Sequence, residues 1–145
     1  MLSPPLERAA IAGLVPHQGA MCLLDRALDW GTAHILCTTA RHRDPAHPLR
    51  RDGMLPAVCG LEFALQAMAL HGALRAGAAQ PLGFVSSLRE VALAVARLDD
   101  IAGDLRIEAV ALVAEAGGFI YRFTIAGDGR DLLSGQAAVI LARAA

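Results

Sequence analysis

Residues 56–76, PAVCGLEFALQAMALHGALRA, constrain this chain more than any other segment. Proline is well placed to open a helix, and Gly77 stands where a helix is commonly closed. Leu61, Leu65, Met68 and Gly72 share one face at helical spacing, while Val58, Phe63, Ala67 and Leu70 make other faces apolar too. A helix that is apolar nearly all round has to be surrounded. The most apolar stretch, 55–70, carries Glu62 and Gln66 in its middle and is shorter than the roughly 20 residues that span a bilayer. A buried helix is therefore expected, with no membrane span.

The rest of the chain supplies the surroundings. Residues 21–41 hold two candidate strands with Gly31 and Thr32 at the turn, and Ala33, Ile35, Cys37 and Thr39 alternate with His34, Leu36, Thr38 and Ala40. Further strands are expected over 81–97, 103–115, 119–126 and 132–142. Asp99-Asp100, Gly117-Gly118 and Gly127-Asp128-Gly129 mark the turns between them. Short turns between consecutive strands imply an antiparallel sheet. Wrapping that sheet around the long central helix buries all faces of the helix and one face of the sheet. The expected fold class is α+β, with 1–145 a single domain. Ser3 is expected to cap a short first helix with Pro4 and Pro5 in its first turn, ended by Gly13 and Pro16. The segment 42–55 reads as an irregular loop, and loops of that length inside compact domains are often functional.

Composition narrows the chemistry. A net charge of −1 gives no reason to expect nucleic acid. All 13 basic residues are arginine, which excludes a lysine Schiff base. Cys22, Cys37 and Cys59 are odd in number and widely spaced, so neither a zinc site nor a disulfide framework is suggested. A reduced, cytoplasmic protein without metal is the expectation. No charged leader precedes an apolar run at the N-terminus.

Two segments resemble a known family. In LVPHQGAMCLLDRALDW, Pro16, His17, Leu23, Leu24, Asp25 and Arg26 are similar to the opening of the hotdog-fold 3-hydroxyacyl-[acyl-carrier-protein] dehydratases. In HPLRRDGMLPAVCGLEFALQAMA, a histidine-containing loop leads through Pro56 to Glu62 and Gln66 at the family's spacing. The family's histidine position is occupied here by Pro48, with His47 beside it. The sequence looks closer to a divergent branch of the family, similar to the dehydratase-like proteins of aryl polyene gene clusters. The resemblance implies a hotdog fold and reversible dehydration of a 3-hydroxyacyl-ACP in fatty-acid-like or polyene synthesis. It also implies no cofactor, and a homodimer or a heterodimer with another hotdog protein. In such enzymes each site is built across the dimer interface.

Dehydration needs a base for the α-proton, an acid for the departing hydroxyl and stabilisation of the enolate-like oxygen. Glu62 is the lone acid on the greasy helix, where an unpaired carboxylate is costly, and is the candidate acid. A structural glutamate facing solvent is the alternative. His17 and His47 are the candidate bases, with His42 a further one. His34 and His71 read as structural or exposed. The amides of Ala57, Val58, Cys59 and Gly60 lie at the positive end of the helix and are candidate carbonyl donors. Cys59 there reads either as an activated thiol or as a small buried residue. Gln66 either orients Glu62 or bonds to backbone. Arg50 and Arg51 are candidates for docking an acidic acyl carrier protein and its phosphopantetheine phosphate, or belong to a solvated loop. Two rival functions share the fold: an acyl-thioester hydrolase, and a non-catalytic subunit pairing with a paralogous dehydratase.

Overall fold

The computed structural model describes residues 2–80, 83–115 and 117–141. Seven strands, β1 (Leu6–Glu7), β2 (Arg26–Trp30), β3 (His34–Thr39), β4 (Gly83–Leu93), β5 (Leu105–Glu115), β6 (Gly118–Gly127) and β7 (Arg130–Leu141), form one sheet in the order β1-β2-β3-β5-β6-β7-β4. Every pairing is antiparallel. A short helix α1 (Arg8–Ala12) precedes β2, and the long helix α2 (Gly60–Ala76) lies between β3 and β4 in the chain. The sheet curls around α2, which is the hotdog arrangement.

The register follows the sequence pattern. Ile35, Cys37 and Thr39 of β3 point inward and are fully buried. With Ile107, Ala109, Tyr121, Phe123 and Ile125 they receive Phe63, Ala64, Ala67 and Leu70 of α2. Burying each large aliphatic or aromatic side chain stabilises the fold by about 1.5–3 kcal/mol. By length and composition the helical run Ala57–Ala76 would also serve as a membrane span. Here it packs against β3, β5 and β6 instead.

The turns obey local chemistry. At the β6–β7 hairpin Asp128 (φ 52°) and Gly129 (φ 77°) both take left-handed backbone, as a tight two-residue turn requires. Asp52 (φ 51°) and Gly53 (φ 76°) do the same in a miniature hairpin between Arg51 and Met54, so the 42–55 loop is ordered. Gly77 (φ 76°) closes α2, and its N–H donates to Ala73 O.

Three sequence expectations shift. Ser3 does not cap α1: the helix begins at Arg8, because Leu6 and Glu7 first pair with Ala27 and Arg26 and Leu6 buries its side chain. Pro56 is followed by a 3-10 turn, Ala57–Cys59, before α2 proper. Ala57 N–H donates to Ala96 O (2.9 Å), and Leu55 N–H to Asp99 Oδ1 (2.8 Å). These bonds tie the start of the helix to the chain after β4 and help end that strand at Leu93 rather than 97. The strands expected to begin at 81 and end at 142 extend beyond the described residues.

β4 is the sheet edge, and α2 does not cover it. All its residues are exposed or half-exposed, including Phe84 (57%), Val85 (44%), Leu88 (43%) and Leu93 (48%). Register shifts between Val85 and Ser87 and between Arg89 and Ala92 break its ladder with β7, and Glu90 lies in left-handed backbone (φ 53°).

Candidate active site

One cavity of about 260 Å³ runs beside α2. Its helix wall is Glu62, Leu65, Met68, Ala69 and Gly72, positions that recur on one side of the helix. Val85, Phe119, Val139 and Leu141 of the sheet face them, and Leu14, Pro16 and His17 close one side. The wall is apolar apart from Glu62, His17 and Gln80.

Glu62 is half-buried on the first turn of α2, and no described cation pairs with its carboxylate. His17 lies on the segment between α1 and β2, and its Nδ1 is buried without a partner. That segment is held at both ends. Gln18 Nε2 donates to Ala12 O (2.9 Å). Gln66, fully buried on α2, donates from Nε2 to Met21 O (2.5 Å) and accepts from Leu23 N–H at Oε1 (2.9 Å). Both ends of the Gln66 amide are thus occupied by backbone, and its effect on the site is to fasten the His17 segment to the helix. Gln66→Leu would strand a buried N–H and a buried C=O, each costing about 1–3 kcal/mol. A loss of about 2–5 kcal/mol in urea unfolding is expected.

The other candidates sit elsewhere. His47 is buried against Phe63, its ring stacked at 5.6 Å and 6°. Its Nδ1 accepts from Leu49 N–H (3.1 Å), so in the neutral ring Nε2 carries the proton, and Nε2 has no described partner. Burial, then the Arg50 charge, lowers its pKa. It does not line the cavity of its own chain. His42 is buried and donates from Nε2 to Ile101 O (3.0 Å), with its pKa lowered chiefly by burial. Arg50 braces the loop through Gly53 O (2.9 Å) and His42 O (3.2 Å), whereas Arg51 is exposed.

Ala57, Val58, Cys59 and Gly60 are absent from the cavity wall. The Cys59 N–H turns back to Pro56 O (3.0 Å), and the Gly60 N–H to the Ala57 and Val58 carbonyls. A Cβ on Gly60 would fall 2.6 Å from Leu133 Cδ2, so this glycine lets α2 approach β7. Burial raises the Cys59 thiol pKa, Arg51 lowers it and Glu62 raises it again, an environment that disfavours the thiolate. Val58 is 53% exposed.

Sequence reasoning missed a buried clamp at the far end of the helix. His71 Nε2 donates to Gly31 O (2.8 Å), so Nδ1 accepts from Tyr121 OH (2.6 Å). Burial lowers the His71 pKa and pushes the Tyr121 phenol up to about 12. The family-like Asp25 is a scaffold hub: it accepts from Ala40 N–H (2.8 Å) and Arg41 Nε (3.0 Å), with Arg8 at 3.8 Å. Among the described residues no cluster of three His, Cys, Asp or Glu side chains could hold a metal ion.

A sheet wrapped on one helix, with a carboxylate and an imidazole on an apolar cavity between them, defines a hotdog protein with a candidate acid–base site. The ApeP-like family, described as ApeP dehydratase, matches residues 9–144, and the chain belongs to this family. Its fold is similar to that in the dehydratase heterocomplex ApeI:P from Xenorhabdus doucetiae, with TM-score 0.80 and 23% identity over 92% of this chain and 91% of that one. It is also similar to a hypothetical thioesterase with coenzyme A from Streptococcus pneumoniae TIGR4 (TM-score 0.57, 14% identity, 80% and 84% covered). A mutant of thioesterase PA1618 from Pseudomonas aeruginosa is a third likeness (0.54, 13%, 81% of each). A comparison with curated proteins returned no match.

Proposed function

We propose that this chain dehydrates 3-hydroxyacyl thioesters carried by acyl carrier protein, giving trans-2-enoyl thioesters for fatty-acid-like or polyene synthesis. The observation that carries the reading is the pairing of Glu62 and His17 on one apolar cavity, neither side chain held in an ion pair by a described residue. The His17 imidazole takes the α-proton. The Glu62 carboxyl protonates the β-hydroxyl, which leaves as water as the C–O bond breaks and the α,β double bond forms. Arg51, exposed and close enough to the helix start for its charge to act on Cys59, suits the carrier's phosphate.

We further propose that the working form is a dimer with another hotdog chain along β4. Its exposed apolar residues and unpaired edge support a strand-bearing partner. The structurally similar ApeI:P is a dehydratase heterocomplex. Such a partner would bring a second set of loop residues near the site, and this is how His47 would act on the partner's substrate. The test incubates the chain, alone and with a co-produced hotdog partner, with 3-hydroxyacyl-ACP. Appearance of the enoyl chromophore supports dehydration. Release of free thiol without it supports the thioester hydrolase suggested by the thioesterase-like folds. Activity only in the mixed dimer, surviving Glu62→Gln in this chain, makes this chain the supporting subunit.

A further inference from the structure

Directly opposed residues of neighbouring antiparallel strands point to the same face of a sheet. Tyr121, Phe123 and Ile125 of β6 are buried against α2, so Ile120, Arg122 and Thr124 belong to the outer face. The register then defines rows of outward side chains. One row is Val110–Arg122–Gln136–Arg89, crossing β5, β6, β7 and β4. The next toward the β5–β6 turn is Val113–Ile120–Ala138, and beyond it lies Glu115–Gly118–Ile140–Phe84. Away from that turn the same face carries Arg106, Glu108, Thr124 and Ser134, as a wet sheet face does. The two rows nearest the turn break this pattern. Val113 is 41% exposed, Ile140 55% and Phe84 57%, with Ile120 and Ala138 half-buried between them. A contiguous apolar patch with a charged rim marks an interaction site. Its rim is Arg122 and Arg89 on one side and Glu115 on the other, all exposed and in no ion pair among the described residues. Glu115 and Arg122 stand two rows apart, about 14 Å at 3.4 Å per residue, too far to pair within one chain.

We propose that two copies of this chain associate back to back through this patch, separately from any pairing along the β4 edge. The charges choose the occupant. A second copy turned about an axis along the Val113–Ile120–Ala138 row lays each strand over its own counterpart, running in reverse. The apolar row meets itself, and the row on one side of it meets the row on the other. Phe84 then faces the second copy's Arg89, a cation–π pairing. Glu115 falls one strand aside from the second copy's Arg122, within reach of these side chains across the roughly 10 Å between packed sheets. The patch thus carries both halves of each polar contact on opposite sides of its apolar row, the self-complementarity an isologous interface requires. Three rows over four strands span roughly 14 by 14 Å between backbones, less than a standard interface of about 800 Å² per partner. The association is therefore weak and depends on concentration.

The experiment is sedimentation velocity over a range of micromolar concentrations. It compares wild type with Ile120→Glu, Arg122→Glu, Glu115→Arg and the double variant carrying both reversals. At high concentration wild type is expected to reach twice the mass of Ile120→Glu, in which two carboxylates would meet at the centre of the contact. Each single reversal should weaken the doubling about tenfold, and the double variant should restore it to within about threefold. Arg122 and Glu115 are exposed, so their reversal leaves the core intact. No variant alters β4, so pairing along that edge sets the same baseline mass in all of them. A wild-type mass equal to that of Ile120→Glu at every concentration overturns the proposal. A double variant no better than the single reversals overturns it as well.

Discussion

Glu62→Gln is expected to lower dehydration of a 3-hydroxyacyl thioester by about 10²–10⁴-fold, the usual contribution of a positioned acid or base. The amide is nearly isosteric, so the cavity keeps its shape, but it has no ionisable proton to give to the departing hydroxyl. No described ion pair of Glu62 is lost, so the midpoint of thermal unfolding should stay near wild type. His17→Ala should bring a loss of similar order, because the base shares the cavity. The rate of enoyl formation checks both. Full activity in Glu62→Gln would remove the carboxylate from the mechanism. A large loss in His47→Ala with His17→Ala unaffected would move the base to the loop, acting across a dimer interface.

Below neutrality the fold is expected to weaken steeply. His42, His47 and His71 are buried, and in each burial is the first cause of a lowered pKa. Arg43 beside His42, Arg50 and Arg41 beside His47, and Arg75 with His34 beside His71 add to it, while the backbone bonds of His42 to Ile101 and Gly103 and of His71 to Gly31, with Asp104 and Asp44, act against it. The folded state thus resists protons that the unfolded chain accepts at about 6.5. The stability these groups contribute is complete above that value and is lost as pH falls through it toward their folded values. Each group adds a slope of up to about 1.4 kcal/mol per pH unit. The three act in the same direction, against a typical domain's total of about 5–15 kcal/mol. Urea unfolding across pH 7.5 to 5.5 reads this directly. His42→Gln keeps a donor for Ile101 O and should flatten the slope by up to one proton's worth. An unfolding free energy level over that range would refute the prediction. Asp99 acts lower on the scale: Arg97 first, and the Leu55 N–H, hold its carboxyl far below the usual carboxylate range. Its contribution is present above about 3.8 and lost in stronger acid.

The helix was legible because composition alone decides it: a 21-residue run with one acid has to be enclosed. The β5–β6 and β6–β7 hairpins followed from Gly117-Gly118 and Gly127-Asp128-Gly129, whose backbone demands are local, whereas Asp99-Asp100 joins β4 to β5, which pair with β7 and β3 and not with each other. What stayed hidden was non-local. Ser3 looked like a cap because nothing in the sequence says that Leu6 pairs with Ala27. Gln66 reads as orienting Glu62 or bonding to backbone; the second holds, but its partners, Met21 and Leu23, lie 45 and 43 residues away and could not be named. His71 reads as structural or exposed, and nothing in the sequence names Tyr121 and Gly31 as its partners. Glu62 and His17 were both nameable from chemistry and motif, but that they share one cavity is a product of the wrap of the sheet.

The open side of β4 has a consequence for how the protein is made. Its free backbone donors and acceptors can template any extended segment, so a chain made without the proposed partner is a candidate for aggregation. Two bulges and the left-handed Glu90 work against that fate. They twist the rim and cut it into short runs, so an unrelated strand cannot zip along its full length, whereas a partner shaped with matching kinks can. Soluble yield should therefore depend on the stoichiometry of co-synthesis.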